Sequence, residues 1–194
     1  MAGNTRIPPA EITGIKGALM KRFSRRMLGT VPDSLGVLWH HQPLLNFSLG
    51  IGRRSEKLHE CDESLKSFAH MATAAVIGCS WCLDFGYFKA HNAGLDETKA
   101  REIPRWRESD VFTPLERDVL EYAEAMSQTP PTVTDELSAR LLTALGPPAL
   151  LELTTTIALE NMYARSNIAL GIEAQGFAAS CNLAPLAQPS GAAS

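Results

Sequence analysis

Cys79 and Cys82, in Gly78-Cys79-Ser80-Trp81-Cys82, are the residues of this chain best suited to do chemistry. Positions i and i+3 share one face of a helix, so two thiols at that spacing can close a disulfide across a single turn. Gly78 interrupts the preceding apolar stretch, which predicts that the pair sits at a helix N-terminus. Unpaired backbone N–H groups and the helix dipole stabilise a thiolate there. Spacing alone leaves two other readings open. The cysteines could be small buried residues, or zinc ligands. Zinc would need further ligands, and no second C-x-x-C or H-x-x-x-H supplies them, so no metal is expected.

The elements around the pair read as helices. No run of alternating β-branched residues bounded by turns predicts a strand. An amphipathic stretch covers about 14–28 and ends at Gly29 and Pro32. Residues 33–50 are apolar at Leu35, Leu38, Trp39, Leu44, Leu45 and Leu49, and Pro43 predicts a helix start or a break there. Over about 60–77, Leu65, Phe68, Ala69, Ala72, Ala75 and Val76 follow helical spacing. The dithiol helix should run from about Ser80 to Asn92, and Asp96 opens a short helix that stops at Pro104. Thr113-Pro114-Leu115-Glu116 is a capping-box start. Gly146-Pro147-Pro148 should separate the helix opened by Thr134 or Asp135 from a long one beginning near Ala149.

With 194 residues, 45% of them hydrophobic, the chain can bury a core without staples. A net charge of −3 gives no reason to expect nucleic acid. The basic run Lys21-Arg22-Phe23-Ser24-Arg25-Arg26 reads as a solvated helix face. No membrane segment and no apolar signal core stand out, so a cytoplasmic protein with reduced thiols is expected.

The segment MATAAVIGCSWCLDFGYFKAHNAGLDETK resembles the core of the carboxymuconolactone decarboxylase / alkylhydroperoxidase D-like family: an amphipathic helix, then G-C-x-x-C, then a helix ending A-x-x-A-G-L. FTPLERDVLEYAEAMSQTPPTVTDEL and LLELTTTIALENMYARSNIALGIEAQGF resemble later family stretches, so the likeness covers about 30–180. It implies an all-α helical bundle that forms trimers or larger homo-oligomers. The organisation expected is an N-terminal extension with a short helix (1–29), the family domain (30–180) and a disordered tail (181–194).

The peroxidase branch of the family resembles E-x(11)-C-x-x-C-x-x-x-H, whose glutamate and histidine relay protons to the thiols. Here Ser67 and Gly86 stand at those positions. Glu63 and His70 lie within about 60° of Ser67 on one helix and are candidates for a surrogate relay. Lys89 is about 20° off the Cys82 face, two turns along, whereas His91 and Asp84 point away. Gly86 leaves space beside the dithiol, either for close helix packing or for access to the sulfurs. Trp81 would shield the pair or pack on a neighbouring subunit. Glu160, Asn161, Arg165 and Asn167 read as a structural polar cluster built on an ion pair. His40 and His41 read as structural. Cys61 and Cys181 read as free thiols, with Cys181 a remote candidate for a resolving partner.

The expected function is a thiol-dependent oxidoreductase, with no cofactor beyond a Cys79–Cys82 redox disulfide, acting on a peroxide or a partner disulfide and recharged by a thiol donor. The alternatives are a non-catalytic redox-sensing or binding protein and a lactone decarboxylase. Against the last, that branch generally does without a C-x-x-C.

Overall fold

A computed structural model describes residues 5–190. The described residues form helices and no strand: α1 (Gly14–Leu28), α2 (Asp33–Trp39), α3 (Gln42–Ser55), α4 (Glu63–Ile77), α5 (Ser80–Asn92), α6 (Glu97–Glu102), a 3-10 segment (Ile103–Glu108), α7 (Pro114–Ser127), α8 (Asp135–Leu170) and α9 (Phe177–Ser180). Side-chain caps set several of the starts. Asp62, Asp96, Thr113 and Thr134 each accept a first-turn N–H, and Thr113 with Glu116 completes the capping box. Pro43 sits in the first turn of α3, just past the break after α2.

α8 breaks at Gly146 (φ 75°, ψ 166°), with Pro147 and Pro148 opening its second part, so the two helices expected there meet end to end. Among the described helices only α8 is long and apolar enough to cross a membrane. It nevertheless carries the buried carboxyls Glu152 and Glu160 and packs along α4 and α7, as the spine of a bundle does.

α4 is the centre of that bundle, packed against α5, α7 and α8 together. Leu65, Phe68, Ala69 and Ala72 are buried as their spacing predicts, whereas Ala75 is half-buried and Val76 exposed. They share one core with Val119, Leu120 and Ala123 of α7 and Leu153 and Ile157 of α8. Burying a side chain such as Phe68 or Leu120 stabilises the fold by about 1.5–3 kcal/mol. Lys66 is buried on the same helix and ties it to α8, donating to Glu152 at 2.6 Å and to the Leu58 carbonyl at 2.7 Å.

The ends of the chain differ from simple expectation. α1 buries only Gly17 and Ser24 and exposes Ile15, Leu19, Phe23 and Met27 along one stripe; most of its basic run is solvated. The segment expected to be a disordered tail instead lies on the bundle through Ser190. Tyr87 Oη donates to the Ala184 carbonyl, Ala187 N–H to Arg101 O, and Ser190 N–H to Glu108, while Leu183 and Leu186 pack on the core. Apolar contact at two leucines supplies the order that its Ala/Pro/Ser-rich composition does not reveal. Residues 191–194 lie outside the described residues.

Candidate active site

The link between α4 and α5 is two residues long, and its geometry places the dithiol. Gly78 ends α4 at φ 83°, where a side chain would be strained, and donates to the Ala74 and Ala75 carbonyls. Cys79 then caps α5, its Sγ accepting the Cys82 N–H at 3.2 Å. Cys79 and Cys82 form a disulfide with Cα atoms 5.3 Å apart, a separation that suits such a bond. Both residues are almost fully buried, against Ala74 and Ala164 with Ile77, Trp81 and Leu83 at the edge. From α8, Asn167 Nδ2 reaches Cys82 Sγ at 3.4 Å and Cys79 Sγ at 3.9 Å. A groove lined by Ala72, Ala75, Leu83, Trp106 and Leu186 opens beside Leu83, the neighbour of Cys82 in sequence.

His70 lies on the α4 face that meets this corner. Its Nδ1 is 3.0 Å from Glu160 Oε2 of α8. Its Nε2 is buried, and among the described residues neither it nor the other Glu160 oxygen, Oε1, has a hydrogen-bond partner. The ring fills the space left by Gly86. A Cβ there would lie 2.8 Å from His70 Cδ2 and 3.1 Å from Nε2. Burial opposes charge on the ring, but the Glu160 charge and hydrogen bond outweigh it, so the His70 pKa is raised; Lys89 opposes and the Cys82 carbonyl favours protonation. Tyr163, close to Glu160, is pushed up by burial and then by that carboxylate.

The structure sorts the residues singled out in the sequence. Glu63 is not at the dithiol. It is exposed in the first turn of α4, 2.7 Å from Lys66 and 3.7 Å from His59. It lies seven positions before His70, about 10 Å along the helix axis, too far to share that residue's contacts. Ser67 is half-buried one turn before His70, and Lys89 is exposed on α5. The space at Gly86 is taken up by packing of the His70 ring, not left open above the sulfurs. Trp81 packs within its own chain, stacked on Phe85 (centroids 5.0 Å apart) and edge-on to Phe177, its indole N–H donating to Gln175. Asp84 is structural. Its carboxylate accepts the N–H groups of Gln175, Gly176, Phe177 and Ala178. His40 Nε2 bonds the Pro8 carbonyl, and His41 Nδ1 accepts Leu44 N–H. Cys61 and Cys181 are free, and burial pushes the Cys61 thiol up to about 11. No three potential ligands gather as a metal site among the described residues.

The polar cluster on α8 is not one unit. Arg165 forms no ion pair with Glu160; it donates to the Ser127 carbonyl, the Thr129 hydroxyl and Asn161, and Asn161 donates to Ser127 Oγ. These two hold the end of α7. Glu160 and Asn167 face the dithiol corner instead. Positions 160, 164 and 167 follow i, i+4, i+7, one stripe of the helix, and 161 and 165 lie on the next. On α4 the matching stripe is His70, Ala74, Ile77. That periodicity, applied to α8, was the signal that could have separated the two pairs.

The carboxymuconolactone decarboxylase family model matches residues 55–125. The uncharacterized protein YnjA of Escherichia coli (strain K12) is 36% identical over 140 residues, spanning 71% of this chain and 77% of that protein. Among solved structures, the debrominase Bmp8 superposes with a TM-score of 0.77 at 20% identity, covering 91% of this chain and 96% of that one. The alkylhydroperoxidase AhpD core of an uncharacterized peroxidase-related protein from Ralstonia eutropha JMP134 superposes at 0.77 and 14% identity, covering 89% and 94%. At these identities the structural likeness is one of fold.

Proposed function

The chain belongs to the carboxymuconolactone decarboxylase family, and from that premise we propose that it is a thiol-dependent oxidoreductase whose Cys79/Cys82 dithiol reduces a hydroperoxide or a partner disulfide. The observation that carries this reading is the joining of the two sulfurs across the first turn of α5, with the Cys82 N–H and the Asn167 amide both directed at sulfur. N–H donors at a helix N-terminus favour the thiolate over the thiol.

With a hydroperoxide, a thiolate attacks one peroxide oxygen and the O–O bond breaks. The sulfur becomes a sulfenic acid and the rest leaves as an alcohol. The second thiol then displaces water, and the disulfide forms. Two thiols and one hydroperoxide thus give a disulfide, an alcohol and water. An external dithiol returns the enzyme to its reduced form by exchange. With a partner disulfide the first step is a mixed disulfide. A reducing compartment, the cytoplasm, suits that cycle.

The second reading is a redox-sensing or binding protein without turnover. It is favoured by the depth of the sulfurs, with Cys79 only 1% and Cys82 2% exposed. Assembly with copies of itself belongs to the proposal as well, because no described residue covers the α1 stripe Ile15, Leu19, Phe23 and Met27.

Steady-state reduction of tert-butyl hydroperoxide and of a small disulfide by the protein with excess dithiol tests the first reading. A brominated aromatic belongs in the same panel, because one structural neighbour is a debrominase. Turnover abolished by Cys79→Ser and by Cys82→Ser is the expected result. A disulfide that forms once but drives no turnover would favour the sensor.

A further inference from the structure

We propose that His70 is the proton carrier of the dithiol, held by Glu160 as its positioning residue and admitted to the site by the missing side chain at Gly86. The inference deepens the oxidoreductase reading and rests on it for its chemical purpose, but not for its test.

Three independent features converge on the ring. First, the Glu160 contact at 3.0 Å falls on Nδ1. A carboxylate there holds the proton on Nδ1 and orients the ring, which leaves Nε2 as the nitrogen that gains and loses a proton. Second, Nε2 is buried and without a partner among the described residues. A buried polar atom left unpaired costs about 1–3 kcal/mol, so it calls for an explanation, and a catalytic role is one of the few that apply. Third, the ring lies against Gly86, one turn from Cys82 on the same face of α5, and any larger residue there would displace it.

The charged and titratable groups around the ring come from two helices: Glu160, with Tyr163 beside it, from α8, and Lys89 from α5. Glu160 dominates the balance of charge, so the ring holds its proton more firmly than a free histidine does. A protonated His70, packed against Gly86 one turn from Cys82, stabilises a nearby thiolate by charge. The neutral ring takes the thiol proton at Nε2 as sulfur attacks, and returns it to the alkoxide as the O–O bond breaks. The alcohol departs with that proton, and the ring ends as it began.

The test is peptide-resolved alkylation of the reduced protein with iodoacetamide from about pH 5 to 9. It compares wild type, His70→Gln, Glu160→Gln, Gly86→Ala and the double variant His70→Gln/Gly86→His. In wild type one dithiol cysteine alkylates with a midpoint below the ordinary thiol value. His70→Gln moves that midpoint up by about one unit, a loss of about tenfold in rate at neutral pH. Glu160→Gln and Gly86→Ala shift it in the same direction. The double variant returns an imidazole from α5 and recovers part of the loss, which a structural defect would not do. If Glu160→Gln fails to fold, His70→Gln and the double variant carry the test. An unchanged midpoint in His70→Gln, or no recovery in the double variant, overturns the proposal. The readout needs no turnover. A wild type with the depressed midpoint that turns over neither a hydroperoxide nor a small disulfide sinks the oxidoreductase reading and leaves His70 in its role.

Discussion

His70 Nδ1 and Glu160 Oε2, 3.0 Å apart, join α4 to α8 at the corner where the dithiol lies. The folded-state pKa of His70 is raised above its unfolded value. The pair's contribution to stability is therefore complete below about pH 6.5, the unfolded value, and is lost as pH rises through the raised folded value. Thermal melts of the wild type should show a falling Tm from about pH 6.5 upward that is shallower in His70→Gln. His70→Ala, which leaves Glu160 buried without its partner, should cost about 3 kcal/mol near pH 6.

Among the described residues, Asn167 is the one side-chain amide within reach of both sulfurs. Asn167→Leu removes a donor to the thiolate without opening a cavity. A net hydrogen bond of about 1 kcal/mol predicts a several-fold slower alkylation of the dithiol at neutral pH. Rates equal to wild type would remove Asn167 from the site.

Asp84 collects four backbone N–H groups from residues 175–178 and so fixes the start of α9 to α5. Asp84→Ala should destabilise the protein by about 3 kcal/mol, seen in denaturant unfolding. Amide exchange should accelerate locally at those four residues.

These sites show what was legible in the sequence. The helical pattern, the capping box at Thr113 and the break at Gly146 follow from local rules, and the structure has each of them. The dithiol at the start of α5 was legible too, because Gly78 and the cysteine spacing are local signals. The partner of His70 was not. Glu63 and Glu160 are equally good carboxylates on paper, and only the packing of α8 on α4 brings the second one to the ring. Gly86 carried the same ambiguity: a missing side chain marks space, and it takes a third dimension to show that His70 fills it. The C-terminal segment was misread because two leucines, Leu183 and Leu186, anchor an otherwise linker-like composition.

Cys61 provides an internal contrast. Burial first, and then the nearby Glu152 carboxylate, push its thiol up to about 11. It should stay unalkylated in the native protein below about pH 9 while the reduced dithiol reacts. Lys66→Met leaves Glu152 buried without its counter-charge, and should cost about 3 kcal/mol in an unfolding measurement.

The exposed α1 stripe predicts assembly. Introducing charge with Leu19→Glu and Phe23→Glu should lower the mass measured by sedimentation equilibrium while leaving the helical circular dichroism intact. A wild type that sediments as a single chain would remove homo-oligomerisation from the account.

The central claim is that the dithiol is a redox centre, and trapping the intermediate tests it most directly. Reduced wild type, Cys79→Ser and Cys82→Ser are treated with tert-butyl hydroperoxide in the presence of dimedone, and the peptide containing residues 79–82 is analysed by mass spectrometry. The account predicts a dimedone-labelled sulfenic acid at the remaining cysteine in one variant, none in the other, and rapid disulfide closure in the wild type. Sulfenic acid in neither variant, with both wild-type thiols surviving the hydroperoxide and a small disulfide offered in its place, would contradict it.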